Sequence, residues 1–211
     1  MPEFGTIADF DQLLTEIHRR GMRLIMDLVI NHTSDEHPWF LESRSSKTNP
    51  KRDFYSWRTG KDGHEPNNWG SFFSGSAWEM DAATGEYYLH LFSRKQPDLN
   101  WGNPAVKKEI FAMIHWWLEK GIDGFRMDVI NLLVKLTGLP DAPWPNRESG
   151  EQYVFAPDFY ANEPRMHELL QEMNRELFRQ YDMVAIGECT RINPELGLLS
   201  AEDRHEINLA F

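Results

Sequence analysis

Apolar positions along the chain fall into two alternating patterns. In the first, Phe10, Leu13, Leu14 and Ile17 recur at helical spacing, and the basic run His18-Arg19-Arg20 before Gly21 marks a helix end. In the second, residues 23–30 form a nearly continuous apolar run, as expected of a strand buried on both faces. The alternation then repeats. Asn103-Pro104 supplies a cap residue followed by proline, and Val106, Ile110, Met113, Ile114, Trp117 and Leu118 give the ensuing helix its apolar face up to Gly121. Residues 122–128 predict a strand, residues 166–181 a helix, residues 183–188 a strand and residues 206–211 a further strand, with a short helix expected between the last two. Strands alternating with helices imply an α/β architecture with a parallel sheet. Four such strands cannot close an eight-stranded barrel, so the pattern corresponds to about half of one.

Residues 33–100 interrupt the rhythm. This stretch is polar and aromatic with few long helical periods, and its clearest strand is residues 87–92. It is too long for an ordinary connection and is expected to be a small inserted domain. The predicted organisation is therefore barrel over residues 1–32, an inserted domain over 33–100, and barrel again over 101–211. A second polar, proline-containing loop is expected over 137–164, and no solenoid repeat or low-complexity tract is visible.

Composition narrows the function classes. The chain is 41% hydrophobic and 26% charged, with a formal charge of -11. That charge disfavours nucleic-acid and anionic-membrane partners, which need clustered Lys and Arg; a neutral substrate is indifferent to it. Cys189 is the only cysteine, so no intrachain disulfide can form and a reducing compartment is the default. No apolar run approaches a membrane span, and the first ten residues lack the basic and apolar regions of a signal peptide, so the expected location is cytoplasmic. Nothing in the sequence sets an oligomeric state. Eight tryptophans are many for this length, and Trp39, Trp57, Trp69, Trp78, Trp101 and Trp144 lie in polar stretches. Their flat rings suit the faces of sugars, but for any single Trp the pinning of a long loop to a core is the commoner role.

Three predicted strands end in chemically useful residues: His32, then Arg126 and Asp128, then Glu188. The carboxyl ends of parallel strands are where active sites of α/β folds lie. Residues two apart share a strand face, so Arg126 and Asp128 are expected to point the same way. A guanidinium beside a carboxylate favours its ionised, nucleophilic form. If the strands of Asp128 and Glu188 are neighbours, about 4.8 Å apart, the two carboxyl groups approach the spacing of a retaining glycosidase. Glu188 would then start as the general acid. Taken singly, each residue has a structural reading: an ion pair for Arg126 and Asp128, a core histidine for His32, a helix cap for Glu188. Together at strand ends they favour catalysis. The histidines are scattered without metal-ligand spacing, and neither a phosphate-binding glycine loop nor a Gly-x-Ser-x-Gly elbow occurs. No catalytic metal and no cofactor are expected.

At these residues the chain resembles the α-amylase superfamily of glycoside hydrolases, in its α-glucosidase and oligo-1,6-glucosidase branch. Residues 27–32 (Asp-Leu-Val-Ile-Asn-His), 124–131 (Gly-Phe-Arg-Met-Asp-Val-Ile-Asn) and 186–188 (Ile-Gly-Glu) match three family signatures in order, and residues 96–100 (Gln-Pro-Asp-Leu-Asn) match the short signature near the end of the inserted domain. The resemblance implies a partial (β/α)8 TIM barrel with a small domain inserted after the third barrel strand. It makes Asp128 the nucleophile and Glu188 the general acid and then base. Arg126 and His32 would hold glucose hydroxyls, Asp27 would support the site, and Phe73 and Gln96 would line the pocket. In that branch Val after the nucleophile accompanies α-1,6 preference, whereas Ala or Thr accompanies α-1,4, so Val129 implies isomaltose-like oligosaccharides. The resemblance is compatible with a structural calcium in the full-length protein.

The resemblance therefore implies a retaining exo-acting α-glucosidase on short isomalto-oligosaccharides. Trehalose-6-phosphate hydrolase and α-1,4-glucosidase are the nearest alternatives, followed by a non-catalytic relative or an inert fragment of the same fold. Earlier strands, a later His-Asp signature that supplies a third carboxylate, and a C-terminal β domain belong to the family but not to these residues. The isolated chain is thus expected to be inactive, with exposed strand edges prone to pairing.

Overall fold

The computed structural model describes residues 2–144, 152–192 and 205–211. Among them run helix α1 (Ile7–Arg19), strand β1 (Ile25–Leu28), helix α2 (Pro38–Ser45), strands β2 (Trp57–Arg58), β3 (Trp78–Asp81) and β4 (Glu86–Leu89), helix α3 (Pro104–Glu119), strand β5 (Gly124–Met127), helix α4 (Arg165–Glu176), and strands β6 (Val184–Gly187) and β7 (Leu209–Ala210). The chain divides into two compact units. The first holds Met1–Leu28, Lys108–Asp128 and His167–Phe211; the second holds Val29–Lys107 and Val129–Met166.

The first unit is built on a sheet of order β1-β5-β6-β7, parallel throughout. Strand–helix–strand succession through α3 and α4 generates this order, and it is the topology of a partial (β/α)8 barrel, as the hydrophobic rhythm implied. Thr6 caps α1 reciprocally with Asp9, whose backbone N–H donates to the Thr6 hydroxyl while its carboxylate accepts from the Thr6 N–H at 2.7 Å. Buried Ile110, Ile114 and Leu118 repeat every four residues on α3, and buried Phe125, Met127 and Ala185 occupy the strands. Each of the larger side chains among these contributes about 1.5–3 kcal/mol relative to exposure. Gly124 permits the close approach of β5 to β6: a Cβ there would stand 2.2 Å from the Val184 carbonyl oxygen.

At the opposite end of this sheet from the strand termini that carry chemistry, Asp123 fastens the first unit together. Its carboxylate accepts from the Leu24 N–H at 2.7 Å, from His18 at 2.8 Å and from Arg23 at 2.8 Å. Burial pushes its pKa up, but these three donors together pull it below the ordinary carboxylate value.

Two expectations need correction here. Strand β1 is shorter than the 23–30 run and is not buried on both faces, since Ile25 is 41% exposed and only Leu28 of its four residues is buried. It lies at the end of the strand order, so among the described residues it has a single strand neighbour. The helix predicted over 166–181 ends at Glu176; Leu177 leaves helical geometry (φ -127°, ψ -72°) and a short 3-10 turn follows at Phe178–Gln180. Leu177 and Phe178 are both buried, so the chain turns to bury two successive large side chains that one helix face cannot bury together. The helix expected before the last strand falls largely on residues outside those described.

The second unit contains the antiparallel sheet β2-β4-β3 and helix α2. Its core gathers Trp69, Trp78, Leu89, Leu91, Val129, Leu132, Val154 and Tyr160. The Trp69 indole donates to the Pro140 carbonyl at 2.9 Å and that of Trp78 to Asn67 at 2.7 Å. Backbone pairing of Gly70 N–H with Val154 O (2.7 Å) and of Val154 N–H with Asn68 O (2.7 Å) joins a late loop to this core. Trp57, Trp69 and Trp78 are thus loop-pinning residues, not exposed sugar platforms. A second charged layer supports the sheet: Arg52 lies 3.5 Å over the Trp57 ring and pairs with Glu86, while Arg44 pairs with Asp81.

Candidate active site

In the first unit the strand register assembles four of the sequence-predicted residues. Asp27 on β1 is paired with Arg126 on β5, and Arg126 with Ile186 on β6. Asp128 and Glu188 each follow the last residue of their strands, held there by Asp128 N–H to Leu28 O at 3.0 Å and Glu188 N–H to Met127 O at 2.9 Å. Residues 126 and 128 on one strand and 186 and 188 on the next therefore lie on the same side of the sheet. Arg126 is the hub. Its Nη1 donates to Asp27 Oδ1 at 2.6 Å and to Asp128 Oδ1 at 2.8 Å, and its Nη2 donates to Glu188 Oε2. One guanidinium thus serves three carboxylates at the carboxyl ends of three adjacent strands. Hydrogen bonding to Asp27 is the largest influence holding Arg126 above its ordinary pKa, with Asp128 reinforcing it against partial burial. Asp128 is 21% exposed and Asp27 56% exposed, so the cluster is open to an entering molecule.

The second unit brings together His32, Gln96 and Phe73. The Gln96 side-chain nitrogen stands 3.0 Å from His32 Nε2, and the Gln96 carbonyl oxygen accepts from the Ser93 N–H at 3.2 Å. That second bond fixes the amide so that its N–H groups face the imidazole. Phe92 packs its ring 5.4 Å from that of His32 and 5.8 Å from that of Phe73, which is 64% exposed. Phe72 stacks on Phe92 at 4.8 Å, and Phe155 meets Phe72 edge-on at 5.0 Å. A polar pair beside a run of aromatic rings is a surface suited to a sugar, with hydroxyls met by the pair and C–H faces by the rings.

Val129 directly follows Asp128 and adopts a left-handed conformation (φ 38°, ψ 46°). A β-branched residue rarely occupies this region, and it does so here while its side chain is buried in the second unit's core. The strain turns the chain sharply off β5 into a short 3-10 turn at Ile130–Leu132.

Sequence reasoning named these residues but passed over Lys135. It sits in the apolar stretch 130–136, where a lone lysine was itself a signal of a buried cation. Its Nζ lies 2.7 Å from Asp98 Oδ1 and 2.8 Å from Asn31 Oδ1. Phe92 and Phe72 were likewise missed. Among the described residues no group of three or more His, Cys, Asp or Glu side chains is placed to hold a metal ion.

Comparison with known proteins identifies the family. The family model for the alpha amylase catalytic domain matches residues 1–211. The chain belongs to the alpha-amylase catalytic domain family. An oligo-1,6-glucosidase from Parageobacillus thermoglucosidasius is 58% identical over 212 aligned residues, covering all of this chain and 37% of that protein. A crystal structure of Bacillus licheniformis trehalose-6-phosphate hydrolase superimposes with a TM-score of 0.91 at 47% identity, covering 100% of this chain and 37% of that one. An isomaltulose synthase variant from Erwinia rhapontici NX5, solved with D-glucose, gives 0.92 at 45% identity with the same coverage. The chain thus spans little more than a third of the length of the relatives it matches. No helix among the described residues is long and apolar enough to cross a membrane.

Proposed function

We propose that the protein to which this chain belongs is a retaining α-glucosidase acting on the α-1,6 bonds of short isomalto-oligosaccharides from their non-reducing ends. The observation that carries the reading is the in-register placement of Asp128 and Glu188 on neighbouring strands with Arg126 bonded to both. Names of relatives such as the Parageobacillus oligo-1,6-glucosidase support the class of bond and of sugar.

In the proposed reaction an Asp128 carboxylate oxygen attacks the anomeric carbon of the terminal glucose. The bond to the leaving oxygen breaks, and that oxygen takes a proton from Glu188. The Glu188 carboxylate then accepts a proton from a water that attacks the same carbon, releasing glucose and regenerating Asp128. Arg126 holds Asp128 in position and neutralises part of the charge of the cluster. Glu188 must carry a proton when the first bond breaks, so the reading requires it to leave the Arg126 guanidinium as sugar enters. His32, Gln96 and Phe73 bind glucose hydroxyls and ring faces, Asp27 anchors Arg126, and Val129 shapes the site towards α-1,6 linkages. No cofactor or catalytic metal is required by these steps. A cytoplasmic location suits a short, already-imported oligosaccharide substrate.

The test is a graft of residues 1–211 in place of the matching segment of the Parageobacillus enzyme, assayed for glucose release. Release from isomaltose exceeding that from maltose, and lost on Asp128→Asn, is the expected result. A folded graft that instead acts on trehalose 6-phosphate in preference to isomaltose would overturn the substrate assignment in favour of the phosphate-sugar alternative.

A further inference from the structure

Lys135 has no part in the reaction above, yet its side chain is only 7% exposed and that of its partner Asp98 is fully buried. A buried ion pair is costly to form and is retained in a fold only where its geometry is well satisfied. Here satisfaction is extensive. Asp98 Oδ1 accepts from Lys135 at 2.7 Å and from the Asn31 amide at 3.0 Å, and its Oδ2 accepts from the Leu91 N–H at 2.8 Å. Lys135 also donates to the Asn31 carbonyl oxygen at 2.8 Å, so ammonium, amide and carboxylate close a three-membered ring of hydrogen bonds. Burial lowers the Lys135 pKa and Asp98 opposes that shift.

This ring adjoins the His32–Gln96 pair through both backbone and side chain. His32 and Asp98 form an isolated antiparallel bridge, and the Leu99 N–H donates to Asn31 O at 2.9 Å while the Thr33 N–H donates to Pro97 O at 3.2 Å. Asn31 immediately precedes His32 in sequence, with its side-chain nitrogen 3.3 Å from His32 Nδ1; Gln96 lies two residues before Asp98. Three segments distant in sequence, around residues 31, 98 and 135, thus meet at one ammonium.

We infer that Lys135 is a positioning residue, whose buried ammonium locks Asn31 and Asp98 and thereby sets the placement of His32 and Gln96 for sugar binding. The inference rests on the proposed sugar site only for the role of that pair; the ring itself is independent of catalysis.

Two measurements on the grafted enzyme, isotopically labelled at lysine, histidine and glutamine, test it. In the unmodified graft, nuclear magnetic resonance should show the Lys135 side chain as a protonated ammonium in slow exchange with water at neutral pH; a neutral or rapidly exchanging amine would overturn the proposal. The second uses Lys135→Met combined with Asp98→Asn, which removes both charges and leaves no unpaired ion in the core. The double variant should keep its circular dichroism and cooperative melting while the His32 ring-nitrogen resonances move and the Gln96-to-His32 cross-peak is lost. A folded double variant with His32 and Gln96 signals unmoved would reduce Lys135 to a structural ion. An unfolded one would also contradict the account, which assigns the ring to placement and not to folding. Neither readout involves glucoside turnover, so a graft inactive on isomaltose would leave this inference standing, and unmoved His32 signals would leave the glucosidase reading standing.

Discussion

One charged cluster in each unit makes an instructive contrast. In the first, Asp27, Asp128 and Glu188 crowd a single guanidinium and remain partly open to solvent. In the second, Lys135, Asp98 and Asn31 are withdrawn from water and matched to one another at 2.7 to 3.0 Å. An exposed cluster with more carboxylates than cations is poorly balanced for stability and well suited to exchanging a protein contact for a substrate contact. A buried, closed ring is the reverse: it has little to offer a ligand and fixes the segments that carry the groups that do. The open cluster is thus suited to reaction and the closed ring to positioning, each by the polarity of its surroundings.

Substitutions in the two units sharpen this division, beginning with the reactive cluster. Asp128→Asn in the grafted enzyme should lower the glucose-release rate by roughly 10⁴- to 10⁶-fold, the range seen on loss of a catalytic group, while the melting temperature barely moves. A large fall in both would make the first unit's charges structural. In the second unit the balance should invert. Trp69→Ala removes a fully buried indole and its bond to Pro140, and should cost about 3–5 kcal/mol by denaturant titration.

A smaller effect is expected at Asp123, a buried carboxylate of the first unit with three hydrogen-bond donors. Asp123→Asn should cost about 1–3 kcal/mol at neutral pH. Because its donors hold the folded-state pKa below the ordinary value of 3.8, that stabilisation is complete above 3.8 and is lost as pH falls through the folded value. The gap between parent and variant should therefore shrink in acid, as read from melting curves collected downward from pH 5; a gap that widens in acid would refute the ion-pair account. Smallest is Val129→Ala, which should shift the isomaltose-to-maltose rate ratio towards maltose by no more than about tenfold. An unchanged ratio would remove Val129 from the determinants of linkage.

The sequence was legible where chemistry sits at the end of an apolar run. Asp128, Glu188 and Arg126 could be placed because strand periodicity and the carboxyl-end rule operate locally, and the family signatures coincide with those positions. It was less legible where contacts are long-range. The bond from Trp69 to Pro140 spans 71 residues and that from Lys135 to Asn31 spans 104, and no local pattern announces either. The absent burial of β1 belongs to the same class, since an apolar run is identical in sequence whether its strand is central or at the end of a sheet. Helix α2 was a signal overlooked: His37-Pro38 starts it as Asn103-Pro104 starts α3, with His37 Nδ1 accepting from the Trp39 N–H at 3.1 Å.

The most direct test of the central assignment is to find the covalent bond it requires. The grafted enzyme would be inactivated with 5-fluoro-α-D-glucosyl fluoride, digested, and its labelled peptide sequenced by mass spectrometry. The account predicts a single fluoroglucosyl adduct on Asp128, absent in Asp128→Asn. A label on another residue, or turnover of isomaltose with no trapped adduct, would contradict Asp128 as the nucleophile.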